Sequence, residues 1–124
     1  MLVTYTIRGV PVSVIKSSHV ARKVLDPYNL RRMNYQQQLS HQHNDKPLLT
    51  GTWALEAHFM FEPPKNKQST LFVPSPLTSL LRFVDDIAQG IIYDNECIIH
   101  KLEVEKNYTT KDDAKTILIF KRIE

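Results

Sequence analysis

Residues 74–106 read PSPLTSLLRFVDDIAQGIIYDNECIIHKLEVEK, and the reading of this stretch decides the fold. Leu77, Leu80, Leu81, Val84, Ile87 and Ala88 recur at the spacing of one helical face. Ser75 is placed to cap the helix, Pro76 suits its first position, and Gly90 suits the residue just past its end. Ile91, Ile92 and Tyr93 then read as a short buried strand. Asp94-Asn95-Glu96 reads as a polar turn, and Ile98 to Glu105 opens a further strand. The polar helix face (Thr78, Arg82, Asp85, Asp86 and Gln89) is thereby expected near a turn that carries carboxylates.

Working outward, Trp53, Leu55, Ala57, Phe59 and Phe61 alternate with Ala54, Glu56, His58, Met60 and Glu62. This is the cleanest two-residue period in the chain and predicts a strand with one face in the core. Val3, Tyr5 and Ile7 alternate in the same way before Gly9 and Pro11. The N-terminal MLVTYTIRG therefore reads as a strand and not as a secretory leader. Residues 11–26 show no period and predict a loop with an extended piece. Asp26-Pro27 predicts the start of a helix running to about His43, with a thin apolar stripe of Leu30, Met33, Tyr35 and Leu39. Gln36, Gln37, Gln38, His41, Gln42 and His43 make that helix hydrophilic, so it lies on the surface or meets a partner. Residues 65–70, KNKQST, form a basic loop. Asn107 to Lys115 predicts a charged hairpin loop before a last strand, Thr116 to Ile123, antiparallel to the one before it. The order β-α-β-α-β-β implies one α+β domain: a mixed β-sheet packed by two main helices.

Composition narrows the function classes. At 124 residues and 42% hydrophobic content the chain suits one soluble globular domain, and no apolar run is long enough to span a membrane. A single cysteine, Cys97, permits no internal disulfide and fits a reducing cytoplasm; it reads as a small core residue at a strand start. The net charge of +3 is unevenly spread: residues 1–72 hold nine Lys/Arg against four Asp/Glu, and residues 73–124 hold seven against nine. A basic half joined to an acidic-margined helix suits a protein that binds a polyanion. The basic set Lys16, Arg22, Lys23, Arg31, Arg32, Lys65 and Lys67 is the candidate phosphate-tracking surface, with Tyr28 and Tyr35 available to stack on opened bases. A solvated face with uneven charge is the alternative. Among five histidines only His41 and His43 approach a metal-ligand spacing, and no Ser-His or Cys-His arrangement supports nucleophilic catalysis.

From Pro76 to Ile99 the chain resembles the RusA-type Holliday-junction resolvases, whose members carry a block of the form D-L-D-N-L-x-K-F-x-x-D-A-L-x-G-x-x-[YW]-x-D-D-x-Q-I before a strand. The helix leucines, Phe83, Asp86, Gly90 and Tyr93 fall where that pattern has them, and Gly9-Val10-Pro11 matches a G-x-P turn near the family's start. Arg82 stands at the family's lysine. The first two aspartates of the block, metal ligands in the family, become Pro76 and Thr78, and its asparagine becomes Ser79. Of the turn's two aspartates, the first becomes Asn95 and the second Glu96.

The resemblance implies a bacterial or phage cytoplasmic homodimer that binds four-way DNA junctions in recombination and repair, with magnesium (Mg2+) as cofactor if it cleaves. It marks Arg82, Asp86 and Glu96 as the catalytic candidates. Magnesium would rest on Glu96 with Asp86 or Asp94, or with Asp85, because Pro76 offers no ligand and Thr78 only a neutral hydroxyl. A bland alternative pairs Arg82 with Asp86 as an i,i+4 ion pair worth about 0.3–0.5 kcal/mol. Three readings follow: a junction-binding protein with weak or lost cleavage, a working magnesium endonuclease using recruited carboxylates, and a structural or regulatory protein that does not touch DNA.

Overall fold

The alternating stretch at 53–61 forms the strand that joins the two halves of the sheet. The structure, a computed structural model, describes residues 1–12, 27–63, 73 and 75–123. The expected cap at Asp26, nearly all of the expected loop at 11–26 and the basic loop at 65–70 lie outside the described residues.

Four strands, β1 (Leu2–Arg8), β2 (Trp53–Phe61), β3 (Ile99–Tyr108) and β4 (Lys115–Arg122), form a mixed sheet in the order β1-β4-β2-β3. Helices α1 (Pro27–His43) and α2 (Leu77–Ala88) pack on one face, giving the expected α+β domain. On that face Tyr5, Ile7, Leu55, Ala57, Phe59, Leu118 and Phe120 meet Tyr35, Leu39, Leu80, Phe83, Val84 and Ile87 in one core. No helix among the described residues is long and apolar enough to cross a membrane.

The strand order departs from the expected hairpin. β3 runs parallel to β2, as a pair joined through a crossover helix must, and β4 is inserted between β1 and β2, antiparallel to both. The segment between β3 and β4 is therefore an arch over the end of β2. Thr109 N–H donates to the Phe61 carbonyl at 2.7 Å, Asp112 N–H donates to the Glu62 carboxylate, and Asp112 takes a left-handed φ of 63° to turn the chain. Ile91–Tyr93 is a second departure. Gly90 reverses the chain at φ 86°, the N–H groups of Ile91 and Ile92 return to the Ala88 carbonyl, and Tyr93 makes only isolated bridges. Ile92 and Tyr93 are buried as expected and Ile91 partly so, but in a turn too tight for a ladder. At the other end of α2 the cap falls one residue later than expected. The Pro76 carbonyl accepts the first helical bond from Leu80 N–H at 3.1 Å, and no side chain caps the helix.

In α1 the buried stripe runs through Tyr35, Leu39 and His43, while Leu30 and Met33 stand 48% and 55% exposed. The helix is hydrophilic for a specific reason. Its Gln42 amide accepts from Thr6 N–H (3.0 Å) and donates to the Thr6 carbonyl (2.7 Å). Gln38 does the same for Arg8, at 2.8 Å in both directions. Two glutamines one helical turn apart thus satisfy the outer peptide groups of Thr6 and Arg8 in edge strand β1. The spacings match: four helical residues rise about 6 Å and two strand residues about 6.7 Å. The Tyr35 hydroxyl donates to the Gly9 carbonyl at 2.7 Å, extending the clasp beyond the strand end.

Replacing both Gln38 and Gln42 by alanine is expected to cost about 0.5–1.5 kcal/mol per lost pair of bonds. It should also favour aggregation through the bared β1 edge. Gln37→Ala, on the exposed face of the same helix, should be neutral or slightly stabilising, since alanine is the better helix former. Urea denaturation with light scattering distinguishes the two cases.

Candidate functional site

Helix α2 buries Leu80, Phe83, Val84, Ile87 and Ala88, which leaves Thr78, Arg82 and Asp86 facing solvent and Asp85 at the margin. Because Gly90 folds the chain back, Tyr93 returns against the last turn of the helix. Its ring is buried edge-on against Phe120, with centroids 6.2 Å apart, and its hydroxyl donates to Asp85 Oδ1 at 3.0 Å. Asn95 then starts a single 3-10 turn, Glu96–Ile98, by accepting the Cys97 N–H on Oδ1 at 2.9 Å. That turn sets the Glu96 carboxyl beside Asp85.

The two carboxyls carry an electrostatic signature. Glu96 is held above its ordinary pKa chiefly by the negative charge of Asp85, with partial desolvation and a hydrogen bond between the two adding to it. The Tyr93 phenol is raised as well, first by burial, then by the charge of Asp85 and its hydrogen bond, and further by the charge of Glu96. No cation of the described residues forms an ion pair with either carboxylate. Beside the pair lies a cleft of about 230 Å³, walled by Leu55, Leu81, Val84, Ile99 and Leu102. Two adjoining acids of this kind can share a proton or share a divalent cation, and both relieve the same repulsion.

The structure distributes the sequence-derived candidates unevenly. It brings Glu96 to Asp85 and to neither Asp86 nor Asp94. Asp86 Oδ2 accepts the Tyr28 hydroxyl at 2.7 Å and its carbonyl accepts the Gln36 amide at 3.4 Å, so this residue ties α2 to α1. Asp94 is exposed in the turn, where its carbonyl accepts the Gln89 amide at 3.2 Å. Arg82 is exposed and forms no ion pair with Asp86 among the described residues, contrary to the bland expectation. Pro76 and Thr78 sit at the start of α2; Thr78 precedes Asp85 by seven residues, about 10 Å along the axis. Lys106 Nζ donates to the Ser75 carbonyl at 2.7 Å, fixing that helix start against the far part of β3, away from Glu96.

Of the basic set, Arg31 is exposed, with Nη1 donating to the Val10 carbonyl at 3.3 Å, and Arg32 is half-buried. Lys16, Arg22, Lys23, Lys65 and Lys67 lie outside the described residues. Neither tyrosine is presented for stacking on bases. Tyr35 is buried, with its ring edge-on to Phe83 and its phenol pushed up to about 12, chiefly by burial. Tyr28 also packs edge-on to Phe83 and spends its hydroxyl on Asp86. His43 is buried between the Tyr5 hydroxyl (2.7 Å) and the Pro47 carbonyl (3.1 Å), facing away from exposed His41. Cys97 is exposed in the 3-10 turn and is not a core residue; the strand begins at Ile99, one residue later than expected and two beyond the cysteine. No known family model matches this chain, and no curated protein matches it.

Tyr93 is the functional-site residue that sequence reasoning assigned only to packing. The signal for it was the three-residue return from Gly90, which brings position 93 back onto the helix turn bearing Asp85.

The raised Glu96 sets a pH dependence. The folded chain holds this proton more tightly than the unfolded chain, so the resulting stability is fully present below the ordinary value of 4.5 and is lost as pH rises through the folded value. Glu96→Gln should therefore gain on the native protein as pH is raised from 4 toward 7. Urea midpoints measured across that range should diverge; parallel curves would mean the two carboxyls do not interact.

Proposed function

We propose that this chain is a RusA-like Holliday-junction resolvase relative that binds branched DNA in recombination and repair, with magnesium-dependent endonuclease activity weak or lost. The observation that carries the reading is that α2, which bears the exposed Arg82, also holds Asp85 beside Glu96 of the following 3-10 turn. Arginine offers a planar, bidentate fork for phosphate, and its charge here is not neutralised by an ion pair among the described residues. Arg31 on α1 extends the cationic contacts. In this reading the protein acts in a bacterial or phage-infected cytoplasm as a homodimer, because a four-way junction presents equivalent strands in pairs.

The acid pair also favours a second reading, in which cleavage survives through recruited ligands. Magnesium is commonly held by one or two carboxylates plus waters and substrate phosphate oxygens. Two mutually repelling carboxyls unpaired with any described cation fit that requirement, with Asp85 and Glu96 as the residues to hold the ion. When bound, magnesium supplies Lewis-acid polarisation of a phosphodiester. The chain's own contributions are separate: Tyr93 orients Asp85 through its hydroxyl, Arg82 engages the phosphate, and Leu81 and Leu102 wall the cleft beside the pair. Asp86 stays with Tyr28 and takes no part.

Labelled four-way junctions, with and without magnesium, test both readings when binding and cleavage are scored together. The junction should bind more tightly than duplex of the same length, with affinity falling steeply as salt rises. Arg82→Ala and Arg31→Ala should each weaken binding and reduce the salt slope by about one. A protein that does not distinguish junction from duplex, or whose slope ignores both substitutions, is not a junction binder. The native chain should cleave slowly or not at all. Any magnesium-dependent cleavage should vanish in Asp85→Asn and in Glu96→Gln and persist in Asp86→Asn.

A further inference from the structure

The two edges of the sheet are treated differently. The outer peptide groups of Thr6 and Arg8, the C-terminal half of β1, are taken up by Gln42 and Gln38, whereas β3, ten residues long, pairs only with β2 among the described residues. A long edge with free peptide groups is a template for a further strand unless something blocks it. No proline, glycine or described side-chain clasp interrupts Ile99–Tyr108, and its one register shift against β2 falls at His100, ahead of Lys101. Leu102, fourth of the strand's ten residues, is a large apolar side chain half exposed on the helix-covered face of this edge. On the opposite face Lys101 and Glu103 are exposed, and neither forms an ion pair or side-chain hydrogen bond within the described residues. Glu103 is worse than unpaired, since it lies directly across from Glu56 on β2.

We propose that β3 pairs antiparallel with β3 of a second copy of this chain, about a two-fold axis through Leu102, to form one continuous sheet. A two-fold axis normal to the sheet keeps each side chain on its own face, so the register centre must fall on a residue. Charge then chooses the residue. Centres at Lys101 or Lys106 oppose lysine to lysine, centres at Glu103 or Glu105 oppose glutamate to glutamate, and a centre at Val104 sets Glu103 against Glu105 twice. Centres nearer either end of the strand overlap three residues or fewer, and of the rest only the centre at Leu102 has no like-charge opposition. It sets Leu102 against its symmetry mate and Lys101 against Glu103 of the second copy, twice over. Both free charges find opposite partners, and the apolar side chain finds an apolar one. The occupant is thus a copy of the same strand.

This surface supplies the pairing that the junction reading needs, yet it stands on the edge strand alone. Leu102 also walls the cleft beside Asp85 and Glu96, so the two acid pairs would flank the two-fold axis. The test contains no DNA, and either reading can fail without the other.

Light scattering and sedimentation equilibrium on the intact chain should give a dimer at roughly 10 μM, within the micromolar range common for specific association. Lys101→Glu and Glu103→Lys should each weaken it roughly 10- to 100-fold, since each turns two attractions into two repulsions. The double substitution should restore dimerisation, because it rebuilds the same pairs with signs exchanged. A register centred at Glu103 would not be rescued in this way. The variant Cys97→Ser/Leu102→Cys should oxidise to a disulfide-linked dimer, since directly opposed antiparallel residues lie about 4.5–5.5 Å apart at Cα. A monomer at roughly 100 μM, ten times the test concentration, overturns the proposal. So does a dimer that ignores both charge reversals, or a double substitution without rescue.

Discussion

A four-stranded sheet has two edges, and every peptide group along them must find a partner or face water. At Thr6 and Arg8 of β1 the partners are the side-chain amides of Gln42 and Gln38, which present a donor and an acceptor each, as a neighbouring strand would. The helix can imitate a strand because its turn and the strand's two-residue repeat have nearly the same rise. This contact sets the rest of the architecture. With α1 locked along β1, Tyr35 and Leu39 are driven into the core, and Tyr35 and Tyr28 meet Phe83 edge-on at 5.3 and 5.6 Å. Aromatic contacts of that kind contribute about 0.5–1.5 kcal/mol each beyond burial. Through Phe83, and through the Tyr28–Asp86 bond, the position of α1 becomes the position of α2.

The placement of α2 in turn decides which carboxylates converge. Asp85 and Asp86 are adjacent in sequence but 100° apart around the helix, so one faces α1 and the other faces the Tyr93 turn. The bond to Tyr28 occupies Asp86, leaving Asp85 to meet Glu96. Packing gains nothing from setting two acids together, as the raised pKa of Glu96 records. Perturbed groups beside a cleft are where chemistry is most often found, and here an arginine with no ion pair among the described residues lies three residues from Asp85 on the same helix.

Much of this was legible in the chain. The alternation at 53–61, the helix from Pro27 to His43 and the apolar stripe of α2 rest on local periodicity, and local periodicity survives folding. Strand order does not, because nothing in residues 107–115 distinguishes a hairpin from an arch; the choice depends on whether β2 or β3 offers β4 the better apolar neighbour. Trp53, Leu55, Ala57 and Phe59 are buried, whereas β3 exposes Lys101, Leu102 and Glu103, so β4 pairs with β2. The glutamines of α1 read as surface because side-chain amides carry no periodic apolar signal. The selection of Asp85 over Asp86 was hidden for a similar reason: it depends on a tyrosine 58 positions from Asp86 in the chain.

The acid pair and the edge of β3, which has no further strand among the described residues, are not independent features. β3 begins at Ile99, immediately after the turn that presents Glu96, and Ile99 and Leu102 both line the cleft containing Asp85. Whatever covers the edge of β3 therefore bears on the wall of the acidic cleft. Covering Leu102 removes water from one side of the carboxyls, and lower local polarity strengthens both their mutual repulsion and their attraction for a cation. A strand docked there would raise the preference of Asp85 and Glu96 for a shared positive charge without touching either residue. Closure of the sheet edge and the electrostatic state of the site are in this way coupled through one leucine.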